Sequence, residues 1–285
     1  MHRGHRFLLS QLRATAEREG LESAVVTFRE HPKMLLTGQS PALLTTTEER
    51  LRLLSQTGID HLICLDFAAV QQLTAEAFMR LLHEQYGVDI LLMGYDHRFG
   101  SDRLIAIDDY IARGEAAGIR VRLQEQAPAG AVSSTRIRRA LQAGHISEAN
   151  ELLGYAYTLS GTVVHGRGLG HQLGFPTANI EPEALKLIPA PGVYATRIYL
   201  SNDKREPRTQ NPEPRTENLS ITNIGSNPTV GNTDTTIETH IPDFKGDLYG
   251  RHVTLTFLRR IRGEQRFPSL DALRRQIAAD IRQLD

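Results

Sequence analysis

The chain has 285 residues, of which 40% are hydrophobic and 23% charged, as in a globular protein large enough for two domains. Its 33 basic residues balance its 33 acidic residues, so no net charge favours binding to nucleic acid or to an anionic membrane. No apolar run reaches the ~20 residues of a membrane span, and the first residues lack the pattern of a secretion signal. The single cysteine, Cys64, excludes an internal disulfide, and together these features predict a cytoplasmic protein.

The first stretch, MHRGHRFLL, places two histidines around a glycine at the start of an apolar-periodic segment that predicts a helix. His2 and His5 are typical of nucleotide-handling chemistry. Such a site usually lies between a strand and a helix, and no strand precedes it here. On this stretch alone, a working site, a remnant and a coincidence stay open.

The rest of the first half alternates short apolar strands with helices. Strands are predicted at 23–28, 61–65, 89–93 and 119–123, and helices at 48–56, 75–86 and 102–117. Thr46 and Glu49 have the spacing of a capping box ahead of one of these helices. Apolar strands that alternate with helices predict a parallel sheet covered on both faces, which binds ligands beyond the carboxyl ends of its strands.

The second half changes character near Gly154. Strand-like stretches that mostly alternate polar and apolar residues predict an antiparallel barrel or sandwich; they lie at 157–165, 192–200, 219–224, 235–241 and 252–258. A helix at 269–282 closes the chain. The segment 202–218 has three prolines and no large apolar residue, which predicts a disordered loop inserted in a hairpin.

The glycine-rich stretch GTVVHGRGLGHQLGFPTANI, at 161–180, is the strongest candidate for a phosphate site. Its glycines let the backbone approach a polyphosphate, and Thr177 and Asn179 face the same side of an extended chain. Their neutral oxygens suit Mg²⁺ carried in on phosphates. The alternative is a glycine-rich hairpin with two surface polar residues, which the Pro-Thr-Ala-Asn sequence disfavours.

Glu238 is the charged residue of an otherwise uncharged strand-like run at 235–241. Strand alternation places Thr236, Glu238 and His240 on one face, and Ile237 and Ile241 on the other. A carboxylate at a nucleotide site could take a proton from a substrate hydroxyl that attacks a phosphoryl group. The local pattern alone favours a solvated glutamate.

With ITNIGSNPT at 221–229, DLYG at 247–250 and IRGEQRF at 261–267, these segments closely resemble the riboflavin kinase module. That family folds as a six-stranded Greek-key barrel with a C-terminal helix. The resemblance implies that Thr177 and Asn179 bind Mg²⁺ and ATP, and that Glu238 is the catalytic base for the ribityl 5′-hydroxyl. It also implies ATP contacts from Gly166, Ile241 and Tyr249, and flavin contacts from Arg262 and Phe267.

Two further segments belong with the opening histidines. GYDHRFG at 94–100 follows a predicted strand, and SSTRIR at 133–138 opens a helix with hydroxyls and arginines suited to phosphate. Alone, SSTRIR could be an ordinary capped basic helix. In this order with HRGH, the segments resemble the FMN adenylyltransferase module of bifunctional riboflavin kinase/FAD synthetases. The resemblance implies that His2 and His5 stabilise the ATP phosphates at the transition state, that Ser134, Thr135 and Arg138 bind ATP, and that Asp96 and Phe99 shape the site.

The resemblance predicts an α/β nucleotidyltransferase domain at 1–153 and a riboflavin kinase domain at 154–285. Family members carry a strand and a Gly-Phe-Asp-Gly-Val run before the two histidines, and this sequence has neither. Losing a central strand should unpair its two neighbours and cost several kcal/mol, a large share of the ~5–15 kcal/mol that stabilises a domain. We expect either a start codon chosen too far downstream or an impaired adenylyltransferase half.

Three functions therefore stay open. The first is a bifunctional enzyme that makes FMN from riboflavin and ATP, and FAD from FMN and ATP. The second is a riboflavin kinase with a non-catalytic N-terminal remnant. The third is a non-catalytic flavin-binding regulator, which the presence of Thr177, Asn179 and Glu238 together disfavours. We expect small-molecule substrates, ATP, flavins and Mg²⁺, and no nucleic acid or membrane partner; the oligomeric state stays open.

Overall fold

The structure is a computed structural model that describes residues 1–30, 42–94, 97–124, 132–166, 168–200, 216–229 and 232–284. The chain forms two compact units, Met1–Val132 and Ser133–Asp285. The helices between residues 133 and 153 therefore belong to the second unit, and the domain boundary at 153/154 stays a prediction.

The first unit alternates helices and strands, as expected from the sequence. Its elements are α1 (Arg3–Glu19), β1 (Ala24–Phe28), α2 (Thr47–Ser55), β2 (His61–Leu65), α3 (Phe67–Val70), α4 (Ala75–Tyr86), β3 (Ile90–Met93), α5 (Ile107–Ala116) and β4 (Arg120–Leu123). The predicted capping box forms at α2. Thr46 Oγ1 accepts a hydrogen bond from the Glu49 N–H at 3.2 Å, and the Thr46 N–H donates to Glu49 Oε2 at 3.0 Å.

The predicted parallel strands are present, but they form two pairs and not one continuous sheet. β1 pairs with β2 and β3 pairs with β4, both in parallel, and no further described strand joins either pair. A groove lined by α1 and by residues of both pairs, among them Val25 and Leu91, lies in this region. All five residues of β1 are only half-buried. The continuous parallel sheet that the sequence predicts is therefore divided into two pairs among the described strands.

The apolar core of the first unit lies where α4 and α5 pack beside β3 and β4. Met79, Leu82, Met93 and Tyr110 are at most 2% exposed, and Val26 of β1 packs against the same cluster. The first unit thus has a core although its strands are divided.

The second unit combines helices with six antiparallel strands. Its elements are α6 (Ser134–Gln142), α7 (Ile146–Leu153), β5 (Thr158–Val164), α8 (Leu169–Gln172), β6 (Thr177–Pro182), β7 (Gly192–Leu200), β8 (Thr216–Thr229), β9 (Asn232–His240), β10 (His252–Arg262) and α9 (Leu270–Ile281). The strands close into a barrel in the order β10-β5-β6-β9-β8-β7, which confirms the predicted six-stranded barrel.

The predicted loop at 202–218 is corrected at its end. Residues 201–215 lie outside the described part of the chain, whereas 216–218 belong to β8. They are ordered as a strand because they pair with β7, where Thr216 lies opposite Leu200 and Asn218 opposite Ile198. Backbone pairing outweighs the low hydrophobicity of these three residues.

Inside the barrel, buried hydroxyls link three adjacent strands. Thr196 Oγ1 lies 2.8 Å from Ser220 Oγ and 2.8 Å from Thr222 Oγ1, and Thr222 Oγ1 lies 2.9 Å from Thr239 Oγ1. Each hydroxyl can donate and accept, so the series satisfies its own buried polar groups. These bonds help to fix the register of β7, β8 and β9, and the outer face of β9 carries Glu238.

Candidate functional site

A row of polar residues crosses three adjacent strands of the barrel. Glu238 on β9 lies directly opposite Asn179 on β6 and opposite Asn223 on β8. Residues directly opposite in an antiparallel pair share a face, and their Cβ atoms lie about 4.5–5.5 Å apart. All three are half-buried, whereas the flanking Ile237 and Thr239 are 1% exposed and point into the barrel. The predicted alternation around Glu238 is therefore observed.

Thr177 extends this outer face by one position along β6. It lies opposite His240, whose Nδ1 is 2.8 Å from the Pro176 carbonyl oxygen. The His240 ring also meets the Phe175 ring edge-on at 5.6 Å. These contacts hold the chain that leads into β6 against β9, so Thr177, Asn179 and Glu238 share one surface.

The glycine run packs closely against the two β6 residues. A β-carbon on Gly166 would overlap the Asn179 carboxamide, and one on Gly170 would lie 3.0 Å from Thr177 Oγ1. Neither glycine has a positive φ. Glycine is therefore needed at these positions because the backbone lies so close to the Asn179 and Thr177 side chains. The run also contains the short helix α8, which the sequence did not predict.

Beside the glycine run, Tyr249 stacks on His165 with ring centroids 4.0 Å apart. The Tyr249 N–H donates to Asp247 Oδ1 at 3.0 Å, which fixes the turn, and the Tyr249 side chain is 48% exposed. Ile241 follows β9 and is only 7% exposed, so little of its surface is open to a ligand. Gly166 and Tyr249, both predicted to touch ATP, thus flank the end of β5.

On the other side of the site, Arg262 at the end of β10 is tied to α9. Its Nε and Nη2 donate to Asp280 Oδ2 at 3.0 and 2.8 Å, and Gln276 donates to Asp280 Oδ1 at 2.8 Å. The guanidinium lies 5.6 Å from the centroid of the Phe267 ring. The two predicted flavin residues therefore lie together, with an acidic partner that the sequence reasoning missed.

The missed residues had signals in the sequence. Asp280 lies on the apolar face of α9 with Leu273 and Ile277, where an acid requires a buried partner. Asn223 alternates with buried residues in the stretch opposite Glu238.

In the first unit, His2 and His5 stack at the start of α1 with ring centroids 3.8 Å apart. His2 is 8% exposed, and its Nδ1 is buried without a hydrogen-bond partner among the described residues. Burial lowers the pKa of His2 to about 4. Partial burial and the His2 ring also lower the pKa of His5, although its side chain keeps contact with solvent. Both imidazoles are therefore neutral at pH 7.

Three of the other predicted adenylyltransferase residues belong to the second unit. Ser134 and Thr135 form the first turn of α6 in the second unit, where Ser133 Oγ caps the helix by accepting from the Arg136 N–H at 3.2 Å. Burial lowers the pKa of Arg138 on the same helix. The two histidines and this helix thus belong to different compact units.

The remaining two predicted residues belong to the segment after β3. Asp96 lies outside the described residues. Phe99 is anchored in the core, because its N–H and its carbonyl oxygen both bond to the Tyr110 hydroxyl, at 3.0 and 2.8 Å. Its ring packs against the rings of Phe78 and Tyr110. Phe99 therefore shapes this segment from within the core.

Comparison with known proteins gives matches over both units. The family model for FAD synthetase matches residues 1–136, and the model for riboflavin kinase matches residues 153–285. The chain is 36% identical over 288 residues to the bifunctional riboflavin kinase/FMN adenylyltransferase of Escherichia coli K12, covering 98% of this chain and 87% of the relative. It is 34% identical to the Pseudomonas fluorescens protein of the same name, covering 99% and 88%.

A solved structure also matches nearly the whole chain. It is a protein from Streptococcus pneumoniae described as a macrolide-efflux protein, with 32% identity and a TM-score of 0.82, covering 99% of this chain and 89% of that one. Among the described residues of the present chain, no helix is long and apolar enough to cross a membrane.

Proposed function

Because the chain belongs to the bifunctional riboflavin kinase/FMN adenylyltransferase family, we propose that it converts riboflavin to FMN at the barrel and FMN to FAD in its N-terminal half. The observation that carries the kinase assignment is the outer face shared by Thr177, Asn179 and Glu238. It supports a phosphate-binding edge on β6 next to a carboxylate on β9.

The residues on β6 fit a magnesium ion that arrives with ATP. Thr177 and Asn179 offer a hydroxyl and a carboxamide oxygen, and Mg²⁺ commonly takes one or two protein ligands and completes its shell with phosphates and water. No cluster of three or more His, Cys, Asp or Glu side chains that could cage a metal occurs among the described residues. When bound, Mg²⁺ neutralises charge on the phosphates.

Glu238 acts as the base. Its carboxylate lies one strand away from Asn179, within reach of a hydroxyl placed beside the terminal phosphate of ATP. The proton passes from the riboflavin 5′-hydroxyl to Glu238 as the hydroxyl oxygen attacks the γ-phosphorus, and ADP leaves. The protein contributes mainly by holding the two reactants in line.

In the N-terminal half, His2 and His5 serve the transfer of AMP to FMN. An FMN phosphate oxygen attacks the α-phosphorus of ATP, and pyrophosphate leaves. The buried, unpartnered Nδ1 of His2 at the N-terminus of α1 supports an anion site, because free helix N–H groups attract phosphate. Ser134, Thr135 and Arg138 keep their predicted role of binding ATP.

One product-resolved assay tests this function. Purified protein is incubated with riboflavin and MgATP, and FMN and FAD are separated and measured by flavin fluorescence. We expect FMN to form first and FAD far more slowly. The strands of the adenylyltransferase half form two separate pairs, which should hold its active-site residues less rigidly than a continuous sheet would. Complete lack of FAD would favour the kinase-only function, and flavin binding without ATP turnover would favour the regulator.

Glu238→Gln should lower the rate of FMN formation by about 10²–10⁴-fold while flavin binding stays nearly intact, because the amide cannot accept the proton. Glu181→Gln is the matched control, since Glu181 is exposed on β6 and has no part in the proposed chemistry. An unchanged rate in Glu238→Gln would rule out the base assignment.

A further inference from the structure

The Asn150 side chain of α7 is inserted into the backbone ladder of the barrel. Just before β5, the Tyr157 carbonyl oxygen accepts a hydrogen bond from the Phe257 N–H of β10 at 2.8 Å, as in an antiparallel pair. The reciprocal bond is bridged by the Asn150 carboxamide. The Tyr157 N–H donates to Asn150 Oδ1 at 2.7 Å, and Asn150 Nδ2 donates to the Phe257 carbonyl oxygen at 2.9 Å.

The carboxamide satisfies two backbone groups that water does not reach easily. Tyr157 is 1% exposed and Phe257 is fully buried. An asparagine side chain suits this place because it both donates and accepts, as a peptide group does. A buried N–H or carbonyl group without a partner is costly, so these two bonds hold α7 at one position on the barrel.

The preceding helix, α6, is attached to the same unit by its C-terminal end. Its Leu141 carbonyl oxygen accepts from the Ala190 N–H, in the segment before β7, at 3.0 Å. Gly144, in the turn between α6 and α7, packs against Arg260 of β10, where an added β-carbon would lie 2.7 Å from Nη1. Arg260 Nη2 in turn donates to the Pro191 carbonyl oxygen at 2.6 Å. Both helices are therefore anchored to the barrel.

The other end of α6 carries the three residues proposed to bind ATP in the adenylyl transfer. Ile137 is fully buried, whereas Thr135 is exposed and Ser134 and Arg138 are half-buried. The first turn of α6 is thus open to a ligand while its opposite face is packed. Residues 137–152 lie between the two family matches, so most of this helix pair belongs to neither matched module.

We propose that Asn150 and Arg260 are positioning residues for the transfer of AMP to FMN. This inference rests on the proposed binding of ATP by α6. The two residues do not touch the substrate; they act by holding the helix that does. Because α6 contacts ATP both before and during the transfer, weaker anchoring should raise the KM for ATP and leave kcat nearly unchanged.

The test measures FAD formation from FMN by the full chain at varied ATP concentration, and FMN formation from riboflavin in parallel. Asn150→Leu removes both hydrogen bonds, keeps the side-chain size and favours a helix, so α7 itself is not weakened. Arg260→Met removes the guanidinium from the Gly144 turn. Each variant should raise the KM for ATP in FAD formation roughly two- to tenfold, the effect of one or two lost hydrogen bonds. FMN formation should stay nearly unchanged, because β10 and the Glu238 strand β9 are not neighbours in the barrel.

Glu151→Ala is the matched control, because Glu151 is the exposed neighbour of Asn150 on α7, and it should alter neither reaction. If Asn150→Leu loses FMN formation as well, Arg260→Met decides, because it leaves the backbone bonds of β10 intact. An unchanged KM for ATP in both variants, or a parallel loss of FMN and FAD formation in both, would overturn the positioning role. A wild type that forms FMN but no FAD would remove the adenylyltransferase assignment together with this inference, whereas FAD formation with an unaltered KM removes the inference alone.

Discussion

Replacing Asp280 by alanine should release α9 from the barrel, because it leaves the Arg262 guanidinium without its counter-charge. The Asp280 side chain is 2% exposed and the Arg262 side chain 15%, so water can replace few of the hydrogen bonds that the carboxylate makes to the guanidinium. Arg262 donates hydrogen bonds to this carboxylate from Nε, to both oxygens, and from Nη2, and Gln276 donates one more to Oδ1.

The expected loss follows from this burial. Removing one partner of a buried ion pair typically costs about 3–5 kcal/mol, because the remaining charge stays desolvated. A domain is stabilised by only ~5–15 kcal/mol, so a loss of about 3–5 kcal/mol is about a fifth or more of the barrel's stability. Flavin binding should weaken with it, because Asp280 also orients Arg262 beside Phe267.

Hydrogen exchange of the α9 amides measures this loss of stability at the helix itself. A local measurement is needed because the chain has two compact units and no tryptophan whose fluorescence would report on one of them. Asp271→Ala is the control, since Asp271 is exposed in the first turn of α9 and should cost only about 0.3–1 kcal/mol. The double variant Arg262→Met/Asp280→Leu should recover much of the stability, because it removes both charges. A loss below about 1 kcal/mol in Asp280→Ala, or no recovery in the double variant, would refute the argument.

Two further predictions concern the proposed ATP site of the barrel and the histidine pair at the start of α1. Gly166→Ala should raise the KM for MgATP about tenfold or more and leave riboflavin affinity unchanged, because the new methyl group displaces the Asn179 carboxamide; equal effects on both substrates would contradict it. Lowering the pH should destabilise the first unit. His2 has a pKa of about 4 when folded and 6.5 ordinarily, so the unfolded state binds more protons between these values. The contribution of His2 to the free energy of unfolding is therefore complete above pH 6.5. It is lost as the pH falls toward 4, by up to about 3 kcal/mol. Hydrogen exchange of α1 against pH measures this. His2→Phe should reduce the slope and leave the share of His5, whose pKa is also lowered; a slope that His2→Phe leaves unchanged would contradict the assignment to His2.

Local signals in the sequence were sufficient for several elements. Thr46 with Glu49, and Ser269 ahead of α9, mark helix starts because a side chain there meets free N–H groups of the first turn. The face occupied by Glu238 was predictable because one side of β9 is buried, and burial imposes a period of two.

The partners across the barrel were not predictable from local pattern. Asn223 faces Glu238 across the consecutive strands β8 and β9, whereas Asn179 faces it only because the distant strand β6 also pairs with β9. The β6–β9 register depends on closure of the barrel and leaves no trace in a short window of sequence. The Arg262–Asp280 pair is likewise set by where α9 packs. For the adenylyltransferase residues, the resemblance assigned roles that the local residue types left open.

The closed barrel and the two strand pairs of the first unit differ in how readily they can pair with strands of a second copy of the chain. Closure gives every strand of the barrel a neighbour on both sides, which leaves less backbone open to a strand from outside. The end of the β8–β9 pair, beyond Ile224 on β8 and before Glu238 on β9, is paired on one side. β1 and β3 each pair on one side only among the described strands, and most of their apolar residues are half-buried. An open edge of this kind is a template for strand pairing between chains. We therefore expect self-association at high concentration to begin at the strand pairs of the first unit.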